Sequence, residues 1–293
     1  MQSNIGHIDF FRKAAQFETD LRWYAIADSA QHNALPNAIA YESPNVRCLL
    51  GATQGSPLAQ QSPHLVELRS PSEKTKSWSW VAINAHSKPC ISIIASMKSF
   101  DELFDQLTDF VEIVLPDSDA MYLAFWDPAI LGTLMGQHDD ETLYVKGPVF
   151  DVQQRAKIMR GVSGWWYWDR AGSIHSIKAT GADCQQLNNP VSLSQSQVDD
   201  LVEASVPDHI LYYVNLNQAH LLVEVASEKR YSLISHALAR ARGLGLAGMR
   251  DLVNYVCVEL IYKERMHDEA IQRIFENVRT GHIQFNAALD QLP

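Results

Sequence analysis

The chain has 293 residues, 46 % of them hydrophobic and 20 % charged, a globular composition that excludes a disordered or collagen-like chain. That length suits one large domain or two, with about three quarters of the unfolded surface available for burial. Lys plus Arg number 24 against 34 Asp plus Glu, a net charge of −10, and an acidic chain lacks the basic footprint that phosphate backbones require, so nucleic acid is not an expected partner.

The charge is unevenly placed. Residues 220–293 carry nine basic and nine acidic side chains, while residues 1–219 carry 15 basic and 25 acidic ones, so the whole excess lies in the N-terminal part. This split predicts two regions with different surfaces. The four cysteines, Cys48, Cys90, Cys184 and Cys257, are far apart with no CxxC pair, which argues against a zinc ribbon or a disulfide scaffold. The N-terminus has no apolar run of signal-peptide length, and no stretch reaches the roughly 18 apolar residues of a membrane span. A cytoplasmic protein beginning at Met1, with no membrane partner, is therefore expected.

Residues 7–19 predict a short amphipathic helix. Trp23 to Ala27 is a compact apolar run ending at Asp28, which suits a buried strand. Residues 30–42 predict a helix, and Val46 to Leu50 a strand stopped by Gly51. Residues 51–63 read as loop. His64–Leu68 is a third strand, 72–86 a helix, and Ile91–Ala95 a fourth strand.

Residues 99–112 give a strong local pattern. Ser99 and Glu102 form a capping box, and Phe100, Leu103, Phe104, Leu107, Phe110 and Val111 fall on one helical face. Met121–Trp126 predicts a fifth strand. Asp127 is placed as N-cap to a helix whose first residue is Pro128. Residues 162–169 and 173–179 predict two strands around the turn Asp169–Gly172.

Alternating strand and helix patterns to about residue 150 predict an α/β N-terminal lobe with a mixed sheet. The polar stretch 180–193 reads as a linker, and the residues beyond it are helical in pattern. The expected division is 1–180 and an all-α lobe at 194–293. Ser194 with Gln197 is a second capping box. Ala270, Ile271, Ile274, Phe275 and Val278 form a helical stripe ended by Gly281.

Several motifs invite a chemical reading. Gly243, Gly245 and Gly248 match GxGxxG, but the dinucleotide fingerprint needs a preceding strand. Here the preceding pattern is helical, so a helix end and a turn is the better reading. Asp117 and Asp119 make a DxD that, with Glu67, could hold Mg²⁺ for a metal-dependent enzyme acting on phosphate or nucleotide groups. Against it, Pro116–Asp119 is ordinary turn composition. No HExxH, GxSxG or GxxxxGK[ST] is present, so no catalytic residue, metal site or cofactor is assigned.

Two features read as partner surfaces. Residues 101–119 hold seven acids and no base; they are either a solvated face or a docking face for a basic segment, with Asp105, Asp109 and Glu112 as its centre. Trp165-Trp166-Tyr167-Trp168 sits in a predicted strand, where side chains alternate between faces. Trp165, Trp166 and Trp168 are therefore either core on both faces or anchors for a partner.

The order of blocks also resembles a known family. Tyr24-Ala25-Ile26-Ala27-Asp28-Ser29-Ala30 resembles its opening strand-to-helix block, and Pro63–Leu68 its "PWLVEL" block. Phe125–Leu131 resembles its "FYDPRVL" block and Gly147-Pro148-Val149 its "GPV". The family is built on domain of unknown function 4123, the effector adaptor-chaperones of type VI secretion, and the likeness covers roughly residues 22–170. His64 stands where an aromatic is usual and Ala129 where a basic residue is usual. The resemblance implies a non-enzymatic adaptor that binds a cognate effector protein and helps load it onto the VgrG spike. It marks Asp28, Asp127 and Pro128 as motif residues with a structural role. A cleft between the two lobes is the expected seat for an effector segment.

Overall fold

The computed structural model describes residues 11–13, 20–43, 45–177 and 190–293. Its main sheet has six strands in the order β2-β3-β1-β4-β7-β8. These are β1 (Arg22–Asp28), β2 (Val46–Cys48), β3 (Pro63–Leu68), β4 (Ile91–Ser96), β7 (Val162–Trp168) and β8 (Ile174–Ile177). Every neighbouring pair is antiparallel. A small second sheet, β6 (Ala120–Tyr122), β5 (Glu112–Val114) and β9 (Val191–Ser192), is mixed, because β5 pairs antiparallel with β6 and parallel with β9.

The apolar runs of the central strands follow from burial on both faces. Tyr24 and Ile26 of β1, Ile94 of β4, and Trp165 and Tyr167 of β7 enter one core. Their alternating neighbours Trp23, Ala25, Ile93, Trp166 and Trp168 enter the other. The first face is covered by α3 (Phe100–Thr108), α4 (Pro128–Met135), α5 (Val152–Ile158) and the small sheet. The second is covered by Phe11, α1 (Asn37–Ala40) and α2 (Lys76–Asn84). There Trp23 stacks on Trp166 with ring centres 5.9 Å apart, and Phe11 meets Trp166 edge-on at 5.4 Å. Gly164 makes room for this packing, since a Cβ at that position would run into the Trp166 indole.

The remaining helices are α6 (Gln195–Asn217), α7 (Ser227–Gly243), α8 (Met249–Tyr262), α9 (Glu269–Arg279) and α10 (Phe285–Leu289), so the C-terminal region is helical. The chain divides into two compact units, 1–203 and 204–293, with the division inside α6. The first half of α6 belongs with the sheet: Val198 and Leu201 pack on its core, and Gln197 Nε2 donates to the Val149 carbonyl at 2.7 Å. The helical unit has its own buried residues, among them Ile234, Leu238, Leu252, Val256, Ile271 and Phe275. Among the described residues, no helix is long and apolar enough to cross a membrane.

Local signals in the sequence have direct counterparts. Ser99 and Glu102 close the capping box of α3, and Asp127 Oδ1 accepts from the N–H groups of Ala129 and Ile130 at 2.8 and 3.4 Å. Ser194 and Gln197 close a box at the start of α6. The glycine motif is a helix end and a turn: α7 ends at Gly243, Gly245 has φ 81°, and Gly248 caps α8.

Other expectations are corrected. The helix expected over 30–42 shrinks to Asn37–Ala40, because Pro36 has no N–H to continue a helix and residues 29–36 close turns instead. The helix expected over 99–112 ends at Thr108. Phe110 and Val111 still bury, but in turns, and Glu112 opens β5. The strand expected over 121–126 stops at Tyr122: β5 offers only a short partner, and the chain turns to bring Phe125 into the core. The helix expected over 7–19 lies outside the described residues except at 11–13, as does the stretch 178–189 of the expected linker and last strand.

Candidate functional site

The motif aspartates sit at the ends of core elements. Asp28 closes β1, and its Oδ1 accepts from the Ala30 N–H at 3.0 Å. It is 4 % exposed, and burial, reinforced by the nearby Asp127 carboxylate, pushes its pKa up from 3.8 to about 6. Asp127 is occupied as the cap of α4, with Pro128 at the first helical position. Both residues thus have a structural task in the fold.

Next to Asp28, Ser29 Oγ lies 3.4 Å from His64 Nδ1, which also meets the Ser62 carbonyl at 2.9 Å. A nitrogen facing a carbonyl carries the proton, so this nitrogen donates and is no base for Ser29. Burial lowers the His64 pKa, which keeps the ring neutral. The pair borders a cavity of about 1240 Å³ that runs along β2, one of the two edge strands of the main sheet among the described residues. Val46, Arg47 and Cys48 form one wall, and Asn33, Tyr41 and Gln60 lie on the others.

The acidic face is real but partly engaged. Asp101 pairs with Arg47 at 2.6 Å, and Glu102 accepts from Ser99, whose bonds hold its carboxyl below the usual range. Asp109 pairs at 3.3 Å with Lys157, whose side chain is 6 % exposed. Asp105 and Glu112 are the outward members of the expected trio. Trp165, Trp166 and Trp168, considered as partner anchors, are core residues with at most 8 % exposure, because both faces of β7 are covered. The Trp165 indole N–H donates to Ser92 Oγ at 3.0 Å.

Glu67, Asp117 and Asp119 do not come together. Glu67 lies on β3 and accepts from Asn45, whereas Asp117 and Asp119 form an Asx turn between β5 and β6. A cluster that sequence reasoning missed is formed by Asp140, Asp169 and His175, whose ligand-type atoms lie within 4.8 Å of one another. Hydrogen bonds already engage it. Asp140 accepts from Tyr167 Oη at 2.8 Å and from both the N–H and Oγ1 of Thr142. Asp169 accepts from the N–H groups of Ala171 and Ser173 and meets His175 Nε2 at 2.9 Å. Burial, then the Asp140 charge, raises the Tyr167 pKa, so the phenol stays a donor. The network fastens the loop before Lys146 to the β7–β8 hairpin. Nothing local distinguishes Asp140 from its neighbour Asp139; only the fold brings it to Tyr167.

These observations define a two-unit protein whose first unit is an antiparallel sheet buried on both faces, with a cavity along its edge and a helical unit after it. The family model described as "Domain of unknown function (DUF4123)" matches residues 23–144. That stretch is a member of this domain family, the one its sequence blocks resemble; it runs from β1 to the loop that carries Asp140. Neither the curated proteins nor the solved structures contain a match to the chain.

Proposed function

We propose that this chain is a non-enzymatic, cytoplasmic adaptor-chaperone that binds a type VI secretion effector protein and helps load it onto the VgrG spike. The observation that carries the reading is the match of residues 23–144 to a domain family generally associated with such adaptors. The geometry is compatible with a binding role. His64 does not activate Ser29 through Nδ1, and the motif residues Asp28 and Asp127 are engaged in the fold. Outward carboxylates at Asp105 and Glu112 and a large cavity along an edge strand offer surfaces for another chain. The test is co-expression with a candidate type VI effector and a VgrG spike protein from the same organism. Co-elution with the effector on size exclusion is expected, and failure to co-purify with both overturns the reading.

A further inference from the structure

The helical unit carries an apolar groove. Leu221, Val253, Cys257 and Ile261 line a depression of about 550 Å³, with Tyr213 and Arg250 at its rim. A second depression shares Leu221 and Ile261 and continues the groove to the ion pair of Glu224 and Lys263. Among the described residues, the unit has five large apolar side chains that are exposed: Tyr212, Tyr213, Leu216, Val223 and Ile261. All lie on the end of α6, on the turn after it, or on the last turn of α8. Exposed apolar side chains gathered beside one groove mark a contact surface, whereas scattered ones do not.

The lining also says what kind of chain fits. The end of α6, the turn that follows it and α8 form the walls, and α8 lines the groove from Met249 to Ile261, a run of about 18 Å at 1.5 Å per residue, or about three helical turns. A groove of this length with an apolar floor accepts the apolar stripe of an amphipathic helix. Arg250 is exposed and makes no hydrogen bond or ion pair among the described residues. It presents an uncompensated cation at one end of the floor, where a carboxylate on the occupant would complete it. A second copy answers this poorly. Its exposed apolar helix face, around Tyr212 and Leu216, has no acid anywhere in residues 209–219, and Glu224 is already held by Lys263.

We infer that this groove is the seat of an amphipathic helix of the effector, about three turns long, with an acidic residue placed over Arg250. The identity of the occupant rests on the adaptor reading; the groove and its chemistry do not. The test uses the full chain and the same effector candidate, with affinity measured for the parent, for Tyr213→Asp with Ile261→Asp, two exposed apolar residues that line the groove, and for Arg250→Glu. All three positions are exposed, and circular dichroism melting checks that the variants fold as the parent does. The double variant is expected to bind about 100-fold more weakly, as loss of apolar anchors at an interface centre does. Arg250→Glu is expected to bind about tenfold more weakly at 0.1 M salt, with the deficit shrinking at 1 M. If the parent holds the effector and both variants hold it equally well, the groove is not the effector's seat, while the adaptor reading stands. If the parent fails to hold the effector, the adaptor reading falls and this occupant with it. If light scattering shows a parent dimer that the double variant converts to monomer, the groove belongs to a second copy and the assignment is overturned.

Discussion

The Tyr167 hydroxyl donates a 2.8 Å hydrogen bond to Asp140, a carboxylate with no solvent exposure. The two residues join the end of the matched domain to a strand beyond it. Tyr167→Phe removes that donor and leaves a buried charge short of one partner. The expected loss of stability is about 1–3 kcal/mol, read by urea unfolding. Gly132→Ala is expected to act through the same bond, because its Cβ would stand 2.5 Å from the Tyr167 oxygen. Unchanged stability in both variants would show that the bond contributes nothing net.

Asp127 is a family-motif residue whose observed work is capping. Asp127→Ala frees the N–H groups of Ala129 and Ile130 at the start of α4. The expected cost is about 0.5–2 kcal/mol in thermal unfolding, with effector affinity changed only as far as stability falls. Lost binding at unchanged stability would place Asp127 in a contact surface instead.

Asp28 makes stability depend on pH. Its folded pKa of about 6 lies above the ordinary 3.8, so the fold holds this proton more tightly than the unfolded chain does. The resulting stabilisation is full below the unfolded value and is lost as pH rises through about 6. Asp28→Asn keeps an acceptor for the Ala30 N–H and removes the titration. Relative to the parent it is expected to gain about 1–3 kcal/mol between pH 4 and pH 7.5 in urea unfolding. An equal parent–variant difference at both pH values would mean that the carboxyl titrates in its ordinary range.

What the sequence made legible was mostly local. The caps at Ser99, Asp127 and Ser194 depend on residues two or three apart, and all three form. The strand runs around Trp23, Leu65 and Ile93 were also legible, because burial on both faces gives continuous apolar segments. The same cause hid the direction of pairing: such runs normally mark parallel sheets, whereas here helices and a second sheet cover an antiparallel one. Residues 30–42 misled because their apolar spacing survives in turns around Pro36. The Asp140–Tyr167 bond spans 27 positions and the groove joins α6 to α8, so neither leaves a periodic trace.

The acidic face of α3 and β5 separates into a structural part and an outward part. Asp109 holds Lys157, whose amine also lies 5.4 Å from the centre of the Phe110 ring. Asp109→Asn is therefore expected to lower stability, by about 1–3 kcal/mol, because it removes a charged partner from a buried lysine. Asp105 and Glu112 are exposed, so Asp105→Asn with Glu112→Gln is expected to leave stability within about 0.5 kcal/mol of the parent. On the adaptor reading proposed above, the effect of that pair is expected in the encounter with a basic effector segment: charges on an exposed rim change association rates more than final affinity. The double variant should associate more slowly than the parent at low salt and equally fast near 1 M, where screening acts within about 3 Å. Stopped-flow association with the effector at both salt concentrations decides this. Equal rates at low salt would show that Asp105 and Glu112 form only a solvated surface, and that steering, if present, comes from elsewhere on the acidic N-terminal region.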